Sequence, residues 1–134
     1  MKEHILKLIE LKPKVGYYDL SMIFGLSIDN LFKLLDIKNY EIVYNTFIEL
    51  YNNNGKRIYT ETSDSYWEKY VYDDNGNNQI YREHSDGWWH KIEYDVNGNK
   101  TYEIDSNSLW YKWVYDNKGK LIYFENSSGY KRHY

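Results

Sequence analysis

Tyr51-Asn52-Asn53-Asn54-Gly55-Lys56-Arg57-Ile58-Tyr59-Thr60-Glu61-Thr62-Ser63-Asp64-Ser65-Tyr66-Trp67-Glu68-Lys69 decides the fold, because the chain writes this stretch again three times. The second copy opens at Tyr72 and carries Gly76, Tyr81, Glu83, Ser85, Trp89 and Lys91. The third opens at Tyr94 with Gly98, Tyr102, Ser106, Trp110 and Lys112. The fourth opens at Tyr115 with Gly119, Tyr123, Glu125 and Ser127, and closes in the variant Tyr130-Lys131-Arg132-His133-Tyr134. Glycines 55, 76, 98 and 119 are spaced by 21, 22 and 21 residues. A fixed period of this length marks an array of like supersecondary units.

Two turn signals punctuate each copy. Asn54-Gly55, Asn75-Gly76, Asn97-Gly98 and Lys118-Gly119 read as two-residue hairpin turns of type I′, a geometry with positive φ at both central positions. Ser85-Asp86-Gly87 and Ser127-Ser128-Gly129 read as three-residue loops with Gly in the left-handed position. Strict alternation of side chains converts these loop lengths into facing pairs. Glu93 falls opposite Tyr102, Val114 opposite Tyr123, Glu83 opposite Trp89 and Tyr81 opposite Lys91. All the repeated Tyr, Glu, Trp and Lys residues then share one face of a continuous meander. The extra residue of the second copy, within Asn77-Asn78-Gln79, is expected as a strand bulge. Segment 42–51 fits as a leading strand with Leu50 opposite Tyr59, which makes about nine strands in all.

On the repeated face, aromatic rings and Lys stems stack along the sheet, and neighbouring Glu and Lys are placed to pair. The other face carries Tyr66, Glu68, Tyr70, Arg82, His84, Trp88, His90, Tyr111 and Trp113. Neither is a dry Val/Ile/Leu surface, which argues against a two-sheet sandwich. A twisted single sheet held by aromatic ladders is expected, with helices over one end or face.

Those helices come from the first residues. His4 to Leu11 has apolar residues at 5, 6, 8, 9 and 11, a helical face that Pro13 ends. Residues Asp19 to Leu35 read as two short helices around Gly25-Leu26-Ser27. Gly25 takes the positive φ of the turn, Ser27 caps the second helix, and Leu20, Leu31 and Leu34 pack between them. Over these 17 or so residues the pattern resembles the helix–turn–helix family. The fold class is therefore α+β, with a helical head at 1–41 and a repetitive antiparallel sheet at 42–134.

Composition sets limits on function. The 134 residues include 17 Tyr, 5 Trp and no alanine, and 19% are aromatic. Tyr keeps a hydroxyl that seeks a partner, so it suits surfaces with one dry and one wet side. The net charge of −3 gives no bulk attraction to nucleic acid or anionic lipid. There is no cysteine, which excludes disulfides and thiolate metal sites. Charges interrupt the apolar run at Met1 to Lys7, and no segment approaches membrane-spanning length, so a cytoplasmic location is expected.

The repeat consensus, Tyr-Asp-x-Asn-Gly-Asn followed by Tyr-x-Glu-x-Ser-x-Gly-x-Trp-x-Lys, resembles the tandem Tyr-Asp hairpin repeats of bacteria and their phages. Over residues 51–134 it is distantly similar to Rhs-type repeats and to MORN hairpins. It also resembles choline- and cell-wall-binding hairpin repeats, but lacks their paired Trp-Tyr-Tyr strand and a secretion signal. The arrangement of a helix–turn–helix-like head on an unrelated tail is similar to that of phage anti-CRISPR and other anti-defence proteins. Such a resemblance implies stoichiometric binding of a host nuclease or its RNA–protein complex, with no cofactor.

No phosphate-binding loop, nucleophile elbow or metal spacing is present. His84 and His90 flank one turn and are read as solvated strand positions rather than metal ligands. Glu83 and Glu93 recur with the repeat and are read as ion-pair partners of Lys91 and its equivalents. An active site needs one special unit, and these units are alike, so a non-enzymatic binding protein is expected. Its anchors are taken as Tyr59, Trp67, Lys69, Tyr81, Trp88, Trp89, Lys91, Tyr102, Trp110, Lys112 and Trp113, since Trp and Tyr dominate interface energetics. The expected partner is a protein, with contact to a bound RNA through the Tyr/Trp/Lys face. The edge strand at Tyr130–Tyr134 also offers pairing to a second copy. The alternative is an operator-binding regulator: the helix from Ser27 to Asp36 offers Asn30 and Lys33 to bases, although it also carries Asp29 and Asp36 and no Arg.

Overall fold

A computed structural model describes residues 1–43 and 46–134. Among the described residues three helices come first, α1 (Lys2–Leu11), α2 (Tyr17–Phe24) and α3 (Ile28–Leu34). Ten antiparallel strands follow: β1 (Tyr40–Val43), β2 (Phe47–Tyr51), β3 (Arg57–Thr62), β4 (Trp67–Tyr72), β5 (Gln79–His84), β6 (Trp89–Tyr94), β7 (Lys100–Asp105), β8 (Trp110–Tyr115), β9 (Leu121–Asn126) and β10 (Lys131–His133). Strand order in the sheet is chain order. No described helix is long and apolar enough to cross a membrane. The chain divides into two compact units, Met1–Lys69 and Tyr70–Tyr134. The helices therefore share their unit with β1, β2, β3 and the start of β4.

In the first unit, α2 ends at Gly25, whose φ of 63° lies in the left-handed region, and Leu26 N–H closes back on Ser21 O at 3.0 Å. Ser27 then starts α3, its Oγ accepting from Asn30 N–H at 3.2 Å. Ile5, Leu20 and Leu31 are buried where the helices meet, with Leu34 packed against them. A second cluster joins helix to sheet: Phe32, Ile48, Leu50, Tyr59 and Trp67. Register explains its membership. The facing pairs Ile42–Ile48, Ile48–Glu61, Leu50–Tyr59, Tyr59–Lys69 and Glu61–Trp67 put all these strand residues on one face. Burying each large apolar side chain there contributes about 1.5–3 kcal/mol.

Segment 42–51 is not one strand: β1 ends at Val43, β2 begins at Phe47, and the two pair with each other. Residues 44 and 45, inside the segment read as that leading strand, lie outside the described residues. The misreading has a physical reason. Three residues separate the paired Val43 and Phe47, and an odd separation leaves alternation unchanged, so Ile42, Ile48 and Leu50 share a face in either case. The expected Leu50–Tyr59 pair is present.

In the second unit the expected pairs Tyr81–Lys91, Glu83–Trp89, Glu93–Tyr102 and Val114–Tyr123 are all present. The turns behind them differ from type I′. Among the described residues Asn54, Asn75, Asn97 and Lys118 have no positive φ; the glycine after each has it. Asp95 shows why. Its N–H donates to Asn99 O at 2.9 Å, its carbonyl accepts from Gly98 N–H at 3.0 Å, and its Oδ1 accepts from the N–H groups of Asn97 and Asn99, both at 2.9 Å. The Asp carboxylate thus organises a three-residue loop closed by a left-handed Gly. Asn52 and Asp116 repeat the arrangement. A register shift follows, Tyr94 facing Lys100 but Glu93 facing Tyr102, and this bulge restores the parity that a two-residue loop would have given. The extra residue of the second copy sits in the turn, not in a strand bulge: Asp73 N–H reaches Asn78 O, one residue further than its counterpart at Asp95.

The three-residue loops at Ser85-Asp86-Gly87 and Ser127-Ser128-Gly129 are as expected, closed by His84 N–H to Trp88 O and Asn126 N–H to Tyr130 O. Ser65 and Ser108 hold the left-handed position of the other two, at φ 72° and 63°. Among the described hydrophobic residues of the second unit only Tyr70 is buried. Its sheet is held by side chains lying along its own faces.

Candidate partner-binding face

Two of the expected anchors are core residues. Tyr59 is 6% exposed and Trp67 2%, both packed against the helices, so neither can meet a partner while the first unit is folded. Lys69 lies half-buried with Nζ 4.7 Å from the Trp67 ring. The residue at the centre is Glu61, fully buried. Its Oε1 accepts from Tyr17 N–H at 2.7 Å and Tyr59 O–H at 2.6 Å, and its Oε2 from Tyr18 N–H at 2.8 Å. These are the first two amides of α2, so a sheet carboxylate caps a helix far away in sequence. Gly16 makes room for it: a Cβ there would lie 2.8 Å from Glu61 Oε1. Trp67 Nε1–H donates to Lys14 O at 2.9 Å and Ser65 Oγ–H to Asp19 at 3.1 Å, which fixes the approach to the helix. Burial pushes the Glu61 carboxyl above its usual value, and its three donors oppose that shift. The Tyr59 hydroxyl is pushed up by burial and by the adjacent carboxylate.

The remaining anchors belong to the second unit and divide between its faces. Tyr81, Trp89, Lys91, Tyr102, Trp110 and Lys112 share one face by register. Lys91 Nζ stands 5.1 Å over the Trp89 ring, and Tyr102 stacks on Trp110 at 6.3 Å between centroids. Lys91 and Lys112 are exposed and the four aromatics half-buried. The repeated serines join neighbouring hairpins: Ser106 Oγ accepts from Trp89 N–H at 3.3 Å and Ser127 Oγ from Trp110 N–H at 3.1 Å. Of the repeated carboxylates, Glu125 pairs at 3.7 Å with Lys131, which stands at the Trp position of its repeat and not at the Lys position, whereas Glu61 is used by the helix. The expected ion pairs of Glu83 and Glu93 with Lys91 are not among the described contacts.

Trp88 and Trp113 lie on the opposite face. Trp88 sits between the His84 and His90 rings, at 4.7 and 5.8 Å, and His90 Nε2 is 3.4 Å from Glu103. Trp113 packs on Phe124 at 5.7 Å and Tyr111 at 6.0 Å, with Lys100 Nζ 5.7 Å from its ring. The candidate set therefore supplies one broad Tyr/Trp/Lys surface and two separate Trp sites behind it.

Sequence reasoning missed the role of Glu61, because nothing in the period links it to Gly16. It also missed a shallow groove of about 670 Å³ on the first unit, lined by Leu8, Pro13, Val15, Met22 and Ile23 among others. Met22 and Ile23 are both exposed, and their place beside the core-facing Leu20 in the sequence was the available signal. No protein-family model matches the chain, and no curated protein does.

Proposed function

We propose that the chain is a non-enzymatic binding protein, an inhibitor of the anti-CRISPR type that engages a host defence nuclease or its RNA–protein complex in the cytoplasm. The observation that carries this reading is the Tyr81/Trp89/Lys91/Tyr102/Trp110/Lys112 surface: rings and ammonium groups from consecutive hairpins, half-exposed on a sheet with almost no interior. Aromatic anchors of this kind dominate interfaces, and the lysines above them can meet acidic side chains or the backbone of a bound RNA. In this reading four hairpin repeats of about 21 residues form the effector part, and the helix–turn–helix-like head stabilises one end.

The test is a tagged pull-down from a lysate containing CRISPR and other nuclease systems, with and without DNase and RNase. One nuclease in stoichiometric yield after treatment is the expected result. A folded Trp89→Ala plus Trp110→Ala variant should bind that nuclease at least about thirtyfold more weakly, the loss expected from even one central anchor at about 2 kcal/mol. DNA fragments alone, lost on DNase treatment, would instead support the operator-binding regulator. That second reading rests on exposed Asn30 and Lys33 of α3. It is weakened by Asp29 on α3, held by Tyr40 O–H at 2.9 Å, and by Asp36 just beyond the end of α3, held by Lys2 at 3.0 Å, which keep two carboxylates on or beside the would-be recognition helix.

A further inference from the structure

The first repeat of the sequence is already bound to something, and what it binds is a helix. Tyr59, Glu61, Trp67 and Lys69 lie in the pairs Tyr59–Lys69 and Glu61–Trp67; the start of α2 and the residues before it sit on the first three, and Lys69 stands over the Trp67 ring. Four contacts make the seat. Glu61 takes the first two helix amides, Tyr17 packs edge-on against Tyr59 at 5.2 Å, Trp67 donates to the carbonyl of Lys14 two residues before the N-cap, and Gly16 leaves space for the carboxylate.

The second repeat carries the same four residues in the same register, Tyr81–Lys91 and Glu83–Trp89. Its lysine stands over its tryptophan as in the first, at 5.1 Å against 4.7 Å. The other repeats are incomplete: Ile104 replaces the Glu in the third, and Lys131 replaces the Trp in the fourth. Burial separates the two complete copies. Tyr59, Glu61 and Trp67 are buried, whereas Tyr81, Glu83 and Trp89 remain half-exposed.

We propose that Tyr81, Glu83, Trp89 and Lys91 are a second, open seat for the N-terminal turn of an α-helix on the partner protein. This deepens the protein-binding reading and rests on it. A helix N-terminus presents unpaired amides and partial positive charge, to which a half-buried carboxylate is complementary. The chain's own α2 spends its amides on Glu61, α3 is capped by Ser27, and α1 has Met1 and not Gly at its N-cap, so the occupant comes from another polypeptide. The template specifies that occupant. It has Gly at the N-cap, an aromatic residue at the first helical position to meet Tyr81, and a free carbonyl two residues before the cap for the Trp89 indole. Gly87 stands where the first repeat has Ser65, so the acidic third helical position seen at Asp19 is not required.

The probe is an acetylated, side-chain-stapled peptide with the sequence of residues 12–24, titrated into the isotopically labelled full chain. Amide shifts clustered at Tyr81–Lys91 are expected. Glu83→Gln should weaken binding about tenfold or more, Glu125→Gln should leave it unchanged, and a peptide with Gly16→Val should not bind. No binding up to millimolar peptide, equal affinity in Glu83→Gln, or shifts confined to Tyr59–Trp67 or to the Trp88/Trp113 side would each overturn the seat. The inhibitor reading fails separately. A nuclease captured equally by Glu83→Gln and the unmodified chain sinks the seat alone, whereas a seat that binds peptide with no nuclease captured sinks only the choice of partner.

Discussion

Glu61 shows how much one side chain can organise. Its carboxylate has three hydrogen-bond partners, all donors, two amides and a phenol, so truncation strands all three. Glu61→Ala should cost about 3 kcal/mol or more, read as a lower urea midpoint. Gly16→Ala should cost about 1–3 kcal/mol for a different reason. Its φ of −84° suits any residue, but the new Cβ would press on a carboxylate that cannot move without losing its donors. The pH dependence has a definite sign. Burial raises the folded carboxyl above the unfolded value near 4.5, so the folded chain binds this proton more tightly than the unfolded chain. The associated stability is full below that value and falls as pH rises through the elevated one. The unmodified chain should therefore lose stability relative to Glu61→Gln across that window, and parallel curves for the two would refute the assignment. None of this was legible in the sequence, where Glu61 looked like one of several repeated acids beside a lysine. Its helix partners lie 44 and 43 residues away, and capping of that range leaves no periodic trace.

The hairpin is the element on which the rest is built, and its turn chemistry makes a prediction. Ser108 holds a left-handed φ that its glycine counterparts adopt without steric cost. Ser108→Gly should stabilise the chain by up to about 1 kcal/mol, whereas Gly98→Ala, at φ 83°, should cost about 1–2 kcal/mol. Ser65→Gly gains less than Ser108→Gly because it gives up the bond to Asp19. Thermal unfolding of the three variants checks the order. Facing pairs and the loops at Ser85-Asp86-Gly87 and Ser127-Ser128-Gly129 were legible here, and the geometry of the turns at glycines 55, 76, 98 and 119 was not. A two-residue loop and a three-residue loop followed by a bulge deliver the same Glu93–Tyr102 pair, so parity could not tell them apart. Likewise the odd number of residues between the paired Val43 and Phe47 hid the break between β1 and β2.

At the scale of the molecule the two compact units differ in what holds them. The first has two buried clusters, whereas the second has Tyr70 and cross-strand stacks. Hydrogen exchange on the intact chain should therefore show β2 and β3 opening only near the global free energy, and β8 and β9 exchanging by easier local openings. Equal protection across all of these strands would contradict this picture. The α+β class and the helices were readable from period and punctuation. The extent of the helix-bearing unit, through Lys69, was not, because the repeat looks the same whether its face is covered or open.

The added residue at Asn77 bears on how such a chain changes over generations. It is taken up at the hairpin tip, and Tyr70 and Arg82 still meet across the turn at 5.5 Å, on the side away from Tyr81 and Glu83. A residue inserted at mid-strand would invert every side chain beyond it; one inserted at a tip inverts none. The tips are thus tolerant joints in an otherwise strict frame. A tip can therefore be lengthened by one residue without turning any facing side chain to the other side, as the glycine spacing of 21, 22 and 21 shows within this one chain.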